Sequence, residues 1–364
     1  MGSEAGAVRA RRNAGRTVAV VGAASGAGRE LAARLAAARD EVGRVVAIDR
    51  VRGDVDGVTW RVTDFTEPTV VSRLTGCDTV VHAAIDVGVA DEPGEQRRSN
   101  VRGVQTVLTA AAAAGAGRVI VVTSAMVYGA AADNPVPLPE DAPLRATEDG
   151  ALVSDLLQIE DLCDRAARSH RGLSVTVVRP AMLVGPGVDT VLTRHFEAPR
   201  LLVIRGTEPA WQFCHLDDLA AALETAVLDD LDGPLTVGCV GWLPQDDVEK
   251  LSGRGRIELP ASFAYGTAKR LHRLGLIPAP ESELDYLTYP WVVPSERLRA
   301  AGWRPEYDNA TALEALLDEV AGKHAVASRR IGRRETATLG AAGATVAALG
   351  TAAVIRRARR RSSK

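Results

Sequence analysis

The feature that most limits the fold is a short β-branched run, Thr17–Val21, breaking into Gly22-Ala-Ala-Ser25-Gly26-Ala-Gly28 and then into a helical repeat. Leu31 and Leu35 lie one turn apart in that repeat, over Arg29–Ala38. A strand, a glycine-rich turn and a helix open a βαβ unit. The rhythm continues with strands expected at Val45–Ile48, Val58–Val62, Thr79–His82, Val119–Thr123 and Val175–Val178. Long helices are expected at Arg97–Ala114 and Thr147–Ser169. Such alternation needs an α/β, doubly wound parallel sheet with right-handed crossovers and helices on both faces.

Past Gly185 the rhythm loosens. Short strands at Leu201–Ile204 and Leu235–Val237 alternate with helices at Asp217–Leu228, Ser262–Leu274 and Ala310–Val320, broken by prolines. Residues 17–184 therefore read as the main domain, with 215–240 returning to it, and 185–322 mostly as a smaller lobe over the sheet's carboxyl edge. Residues 1–16 read as a disordered leader rather than a secretory signal. The Pro-rich run Asn134–Leu144 reads as a surface loop.

Charge divides the chain further. Among 44 lysines and arginines only Lys250, Lys269, Lys323 and Lys364 are lysines, so the first 249 residues contain none. From Lys323 to Lys364 eleven cations face one anion, Glu335, which leaves an acidic body and a basic tail. An acidic body argues against nucleic acid as a partner of the main domain. Within the tail, 336–355 is uncharged and flanked by arginines, so 323–364 is a candidate for contact with a membrane surface. It is rich in Ala, Gly and Thr and weakly hydrophobic, so a linker is the competing reading. Cys77, Cys163, Cys214 and Cys239 show no metal spacing and read as buried free thiols in a reducing, cytoplasmic compartment.

The loop Gly22–Gly28 has the chemistry of a pyrophosphate cradle, since small residues let backbone approach the phosphates in front of a helix N-terminus. Asp49 ends the second strand 21 residues after Gly28, the place of an acid that accepts hydrogen bonds from an adenosine ribose. Its charge favours NAD, while Arg50 beside it could pair with the 2′-phosphate of NADP.

With these residues in place the sequence resembles the extended short-chain dehydrogenase/reductase superfamily, in its branch of NAD-dependent nucleotide-sugar epimerases and dehydratases. The likeness runs in order through Asp64-Phe65, Val80-Val81-His82-Ala83-Ala84, Asn100-Val101-Arg102-Gly103 and Thr123-Ser124-Ala125-Met126-Val127-Tyr128-Gly129. It continues through Val178-Arg179-Pro180-Ala181, Phe213-Cys214-His215-Leu216-Asp217-Asp218 and Gly302-Trp303-Arg304-Pro305. One departure is the loop, spaced GxxxGxG with Ser25 at a glycine's usual place. The resemblance implies a Rossmann-type fold in which Asp64 contacts adenine, Phe65 flanks it, and Ala83 and Ala84 line the cofactor. It also places Asn100, Thr123 and Pro180 around the cofactor and gives Ser124 a hydrogen bond to the reacting oxygen. A nucleotide sugar is the implied substrate, and a homodimer through helices 97–114 and 147–169 the implied assembly.

The same resemblance exposes a loss. Active members carry YxxxK on the helix after the Pro-rich loop, the tyrosine as acid/base and the lysine gripping the nicotinamide ribose and lowering the tyrosine pKa. Glu160 sets the register, which puts Leu152 at the tyrosine position and Leu156 at the lysine position. No register restores the pair, because no tyrosine lies between Tyr128 and Tyr265 and no lysine precedes Lys250. Losing a general acid/base costs about two to four orders of magnitude in rate. Leu152, Leu156 and Ile159 form an i, i+4, i+7 stripe suited to packing.

Two functions remain open. One is a dinucleotide-binding sensor, scaffold or partner subunit without ordinary catalysis. The other is a working epimerase, dehydratase or reductase with a relocated acid/base, for which Asp155, His82 and Tyr128 are candidates. Arg194 and Arg200 are candidate diphosphate ligands or solvated arginines. His170, His195 and His215 show no metal spacing, and Trp211, Trp242, Trp291 and Trp303 are expected to pack.

Overall fold

The computed structural model describes residues 15–89, 93–148, 152–277 and 279–323, with the backbone of 325–326 and 329–330. Most of the leader and the uncharged tail segment 336–355 lie outside the described residues. Among the described residues no helix is long and apolar enough to cross a membrane.

The first half alternates β1 (Thr17–Val21), α1 (Gly26–Ala37), β2 (Arg44–Asp49), β3 (Thr59–Val62) and β4 (Thr79–His82). It continues with α2 (Gly103–Ala114), β5 (Arg118–Val122), α3 (Leu152–Ser169) and β6 (Ser174–Pro180). Three short strands and one longer follow: β7 (Met182–Val184), β8 (Leu201–Ile204), β9 (Ala210–Trp211) and β10 (Phe213–His215). Next come α4 (Leu216–Leu228) and β11 (Gly233–Val237). Seven strands form one sheet in the order β11-β6-β5-β4-β1-β2-β3, every pair parallel. This is the Rossmann-type doubly wound arrangement, with β1 and β4 adjacent at the point where the winding reverses.

The strands have this order because of what they bury. β1 and β4 are buried along their whole lengths, as expected of β-branched runs covered on both faces. Their alternation splits the core in two. Val18 and Val20 face one layer with Leu31 and Leu35 of α1, and with Leu219 and Leu223 of α4. Ala19 and Val21 face the other with Val104, Val107 and Ala111 of α2, and with Ile159 and Cys163 of α3.

Two helices differ from their sequence expectation. The segment leading into α2 is helical from Pro93 and passes through a wide π turn, Arg98–Arg102, that contains Asn100. Residues 147–148 are not helical, since the chain before them is held to the turn after β5: Ala146 donates to the Val127 carbonyl and Arg145 to that of Tyr128; α3 is described from Leu152.

The second half adds β12 (Leu243–Pro244), α5 (Gln245–Ser252), β13 (Arg256–Leu259), α6 (Ala261–Arg273) and α7 (Asn309–Glu319). β7 pairs with β10, β8 with β13 and β9 with β12. Trp211, Trp291 and Trp303 are buried, whereas Trp242 is 45% exposed because it sits in the turn before β12. The four cysteines are free and buried.

Two histidines are sealed in this core. His82 ends β4 edge-on to Phe65, and neither ring nitrogen has a hydrogen-bond partner among the described residues. His195 stacks on Trp211. Burial holds the pKa of each down, to about 4. Both stay neutral in the folded protein while the unfolded chain takes up protons below about 6.5. Stability is therefore complete above that pH and falls as pH drops towards 4, by about 3 kcal/mol for each histidine. Urea unfolding across this window should show the fall, and His82→Leu should remove close to half of it. An unchanged slope in that variant would contradict the assignment.

Candidate dinucleotide and substrate site

The turn after β1 is shaped by steric necessity. Gly22 has φ +89°, and a Cβ there would meet Ala84 at 2.8 Å. A Cβ on Gly28 would run into the Gly22 carbonyl oxygen, so only glycine lets α1 seat this close to β1. Ser25 is the N-cap of α1 in extended conformation, and its hydroxyl makes no capping bond. The first N–H groups of α1, from Gly26 onward, thus have neither an intrahelical acceptor nor a capping side chain. A helix end of this kind accommodates an anion.

Asp49 closes the far side of the turn. Its Oδ2 accepts from the Ala24 N–H at 3.0 Å and its Oδ1 from the Arg50 N–H at 2.7 Å. Arg50 turns away towards Asp64, at 3.3 Å, and lies over the Phe65 ring at 4.9 Å. Partial burial opposes the charge on Asp64, but donors from Thr66 and the Arg50 guanidinium outweigh it and hold its carboxyl below the usual range. Phe65 itself is buried, pressed by the backbone at Gly103. The adenosine-pyrophosphate half of a dinucleotide fits these residues: a glycine cradle, a bare helix end, an acid and an aromatic flank.

Further along the sheet edge the residues take structural duties. Ala83 and Ala84 leave β4 against Gly22, with the Ala83 N–H bonded to Val21. Asn100 is fully buried and grips Asp86 on both sides, accepting from its N–H at 2.9 Å and donating to its carbonyl at 2.8 Å. It therefore fixes the loop that leaves β4. Pro180 ends β6 opposite Val237. Ser124 caps the turn after β5, its Oγ accepting from the Met126 N–H at 3.2 Å.

Ser124 opens on a cavity of about 850 Å³, counting its mouth, at the carboxyl ends of β4, β5 and β6. Leu152 shares the wall with it, and Leu156, one helical turn on, is sealed at 0% exposure. The ammonium that would grip a nicotinamide ribose has no counterpart in these two positions.

The register of α3 is fixed by a buried ion pair. Glu160 accepts from Arg179 of β6 at 2.9 and 2.8 Å and from the Thr123 hydroxyl at 2.8 Å. Arg179 also donates to the Tyr128 hydroxyl at 2.9 Å, which in turn donates to the Glu140 carbonyl at 2.6 Å. Burial pushes the Tyr128 pKa up, with Arg179 opposing it in part. None of Tyr128, His82 and Asp155 lines the cavity beside Ser124. Asp155 is buried against Arg97 at 2.9 Å, and burial raises its pKa.

Several cavity residues carry no sequence signal. Gln96, Thr190, Glu283 and Trp291 reach the wall from segments far apart in the chain. Arg194 is bound to Asp189 at 2.7 and 2.9 Å, and Arg200 is exposed; neither lines the cavity. His215 caps α4, accepting from the Asp217 N–H, and stacks on Tyr307. No group of acidic, histidine or cysteine side chains among the described residues is arranged to hold a metal ion.

Removing one partner of the Glu160–Arg179 pair leaves a buried charge uncompensated, which costs about 3–5 kcal/mol. Glu160→Leu and Arg179→Met should each lower unfolding stability by that order, and the double variant should lose less than the sum. Additive losses in denaturant titrations would contradict the pairing.

The chain is 28% identical to the uncharacterized protein Rv0501 of Mycobacterium tuberculosis (strain ATCC 25618 / H37Rv) over 321 residues, 85% of this chain and 84% of that protein. It is 27% identical to the uncharacterized protein y4nG of Sinorhizobium fredii over 266 residues, 68% of this chain and 65% of that one. Among solved structures, the fold matches a UDP-glucose 4-epimerase of Thermus thermophilus in complex with NAD at TM-score 0.59 and 19% identity, over 84% of this chain and 99% of that one. It also matches a double mutant of the dTDP-glucose 4,6-dehydratase DesIV from Streptomyces venezuelae at TM-score 0.62 and 18% identity, over 85% and 97%. The family model for NAD dependent epimerase/dehydratases matches residues 18–235, well over half of the chain. The protein belongs to the NAD dependent epimerase/dehydratase family.

Proposed function

We propose that this chain binds NAD at the Gly22–Gly28 turn and Asp49 without performing the family's ordinary hydride chemistry, serving as a dinucleotide-dependent sensor, scaffold or partner subunit. The observation that carries the reading is the pair Leu152 and Leu156, one on the cavity wall beside Ser124 and one sealed in the core. When bound, NAD would supply a hydride acceptor for the family's chemistry. Among the described residues no phenol lines the cavity beside Ser124 to move the substrate proton, and no ammonium lines it to favour the phenolate.

The same residues support NAD over NADP. Asp64 and Phe65 hold the Arg50 guanidinium, which leaves the Asp49 carboxylate as the charge nearest the ribose corner. A 2′-phosphate would meet repulsion there. One observation favours a second reading, an enzyme with a displaced acid/base: Glu283, nearly buried, lies on the cavity wall. Dimerisation through the outer faces of α2 and α3 belongs to the same proposal, and gel filtration tests it.

Calorimetry of the full chain should show NAD binding, at least about tenfold tighter than NADP, with Asp49→Ala narrowing the gap. No binding of either at millimolar ligand would refute the proposal. The unmodified protein should leave NAD unreduced with UDP-sugars. Leu152→Tyr with Leu156→Lys should raise NAD affinity, provided its melting curve shows that it folds. Turnover by the unmodified protein, abolished by Glu283→Gln, would replace the first reading with the second.

A further inference from the structure

The cavity beside Ser124 has the wrong walls for a nucleotide sugar. Met126, Leu152, Met182, Leu183, Leu192 and Trp291 are among its lining side chains. Among the described residues no arginine, lysine or histidine lines it. A diphosphate is ordinarily met by cationic side chains that match its charge. The flanking cations are engaged elsewhere, Arg194 with Asp189 and Arg97 with Asp155. Among the described residues the ionisable side chain that does reach the wall is Glu283, and a carboxyl group offers a phosphate no cation.

Sugar hydroxyls are served no better. The Gln96 amide donates to the Gly88 carbonyl at 2.8 Å, and the Thr190 hydroxyl is closed into a capping box with Thr193. Ser124 accepts from Met126 and keeps its own hydrogen to donate. A hexose would therefore bury several hydroxyls with few partners, and each unpaired one weakens binding. An apolar molecule asks for no such partners along the Met, Leu and Trp side chains and gains by leaving water.

We infer that this cavity takes an uncharged, largely apolar small molecule bearing one carbonyl or hydroxyl group that Ser124 hydrogen-bonds, and not a nucleotide diphosphate sugar. The inference deepens the reading above, on which this cavity is the family's substrate site, but its chemistry comes from the cavity walls alone. Ser124 supplies the single directional contact, while Trp291 and the Met and Leu side chains supply shape and burial. Leu152 contributes to this lining, at the position where a phenol would have placed a polar group.

The test uses the full chain and the uncharged fluorophore N-phenylnaphthylamine, which brightens in apolar surroundings. It should bind with micromolar Kd, be displaced by decanol and undecanone, and be unaffected by millimolar UDP-glucose. Leu183→Arg puts a cation on the wall and should weaken the probe at least about tenfold. Leu276→Arg, at an exposed position outside the cavity, should leave it unchanged and so exclude adsorption to surface apolar groups. Three results would overturn the inference: displacement of the probe by UDP-glucose, no probe binding by folded protein, or equal effects of the two arginine variants. Probe binding that survives in a protein shown not to bind NAD would refute the dinucleotide reading and leave this inference standing.

Discussion

The bidentate pair between Glu160 and Arg179 decides more of this molecule than any other contact. Both side chains are withdrawn from water, 6% and 9% exposed, so each charge depends on the other. The pair ties α3 to β6, reaches β5 through Thr123 and reaches the following turn through Tyr128. From there the Glu140 carbonyl accepts from Tyr128, while its carboxylate accepts from the Thr236 hydroxyl and the Arg297 N–H. One chain of hydrogen bonds thus joins the sheet, the Pro-rich loop and the second half of the chain. With Glu160 fixed, the face of α3 one and two turns earlier is fixed as well, and it carries leucines.

The consequence is a site with two unlike halves. Around Gly22, Gly28, Asp49 and Asp64 the geometry is strict: glycines that tolerate no Cβ, an acid bonded to the turn, and a second acid held charged by its neighbours. Around Ser124 most of the lining is apolar, and Leu152 stands on the wall where the resemblance implies a tyrosine. Tyr128 could not step in, because its hydroxyl already links Arg179 to Glu140 and burial holds its proton on. His82 is sealed behind Phe65 as a neutral ring. On the proposed reading, the fold keeps the nucleotide-binding features of its family without the tyrosine and lysine that the resemblance implies for its chemistry.

Much of this was legible in the sequence where a single physical cause dominates. Thr17–Val21 and Thr79–His82 match their strands residue for residue, because a β-branched run buried on both faces has one reading. The absence of tyrosine and lysine from α3 is a property of composition and needs no coordinates. That residues 147–148 stay out of α3 was not legible, since it depends on residues 145–146 being held by backbone bonds to 127–128. The amide of Asn100 pointed to the cofactor by resemblance, and in the fold it clasps Asp86. The cavity wall was hidden for another reason. Gln96, Ser124, Leu192, Glu283 and Trp291 meet only after the chain has folded, and no local period marks them. Trp242 misled because aromatic identity says nothing about a turn's exposure.

The central claim is that the adenosine half of NAD is held while the nicotinamide half is not. Saturation-transfer NMR of NAD with the full chain reads this directly, because each ligand proton reports its own closeness to the protein. The account predicts strong transfer to the adenine and its ribose and weak transfer to the nicotinamide. Equal or stronger transfer to the nicotinamide protons would contradict it.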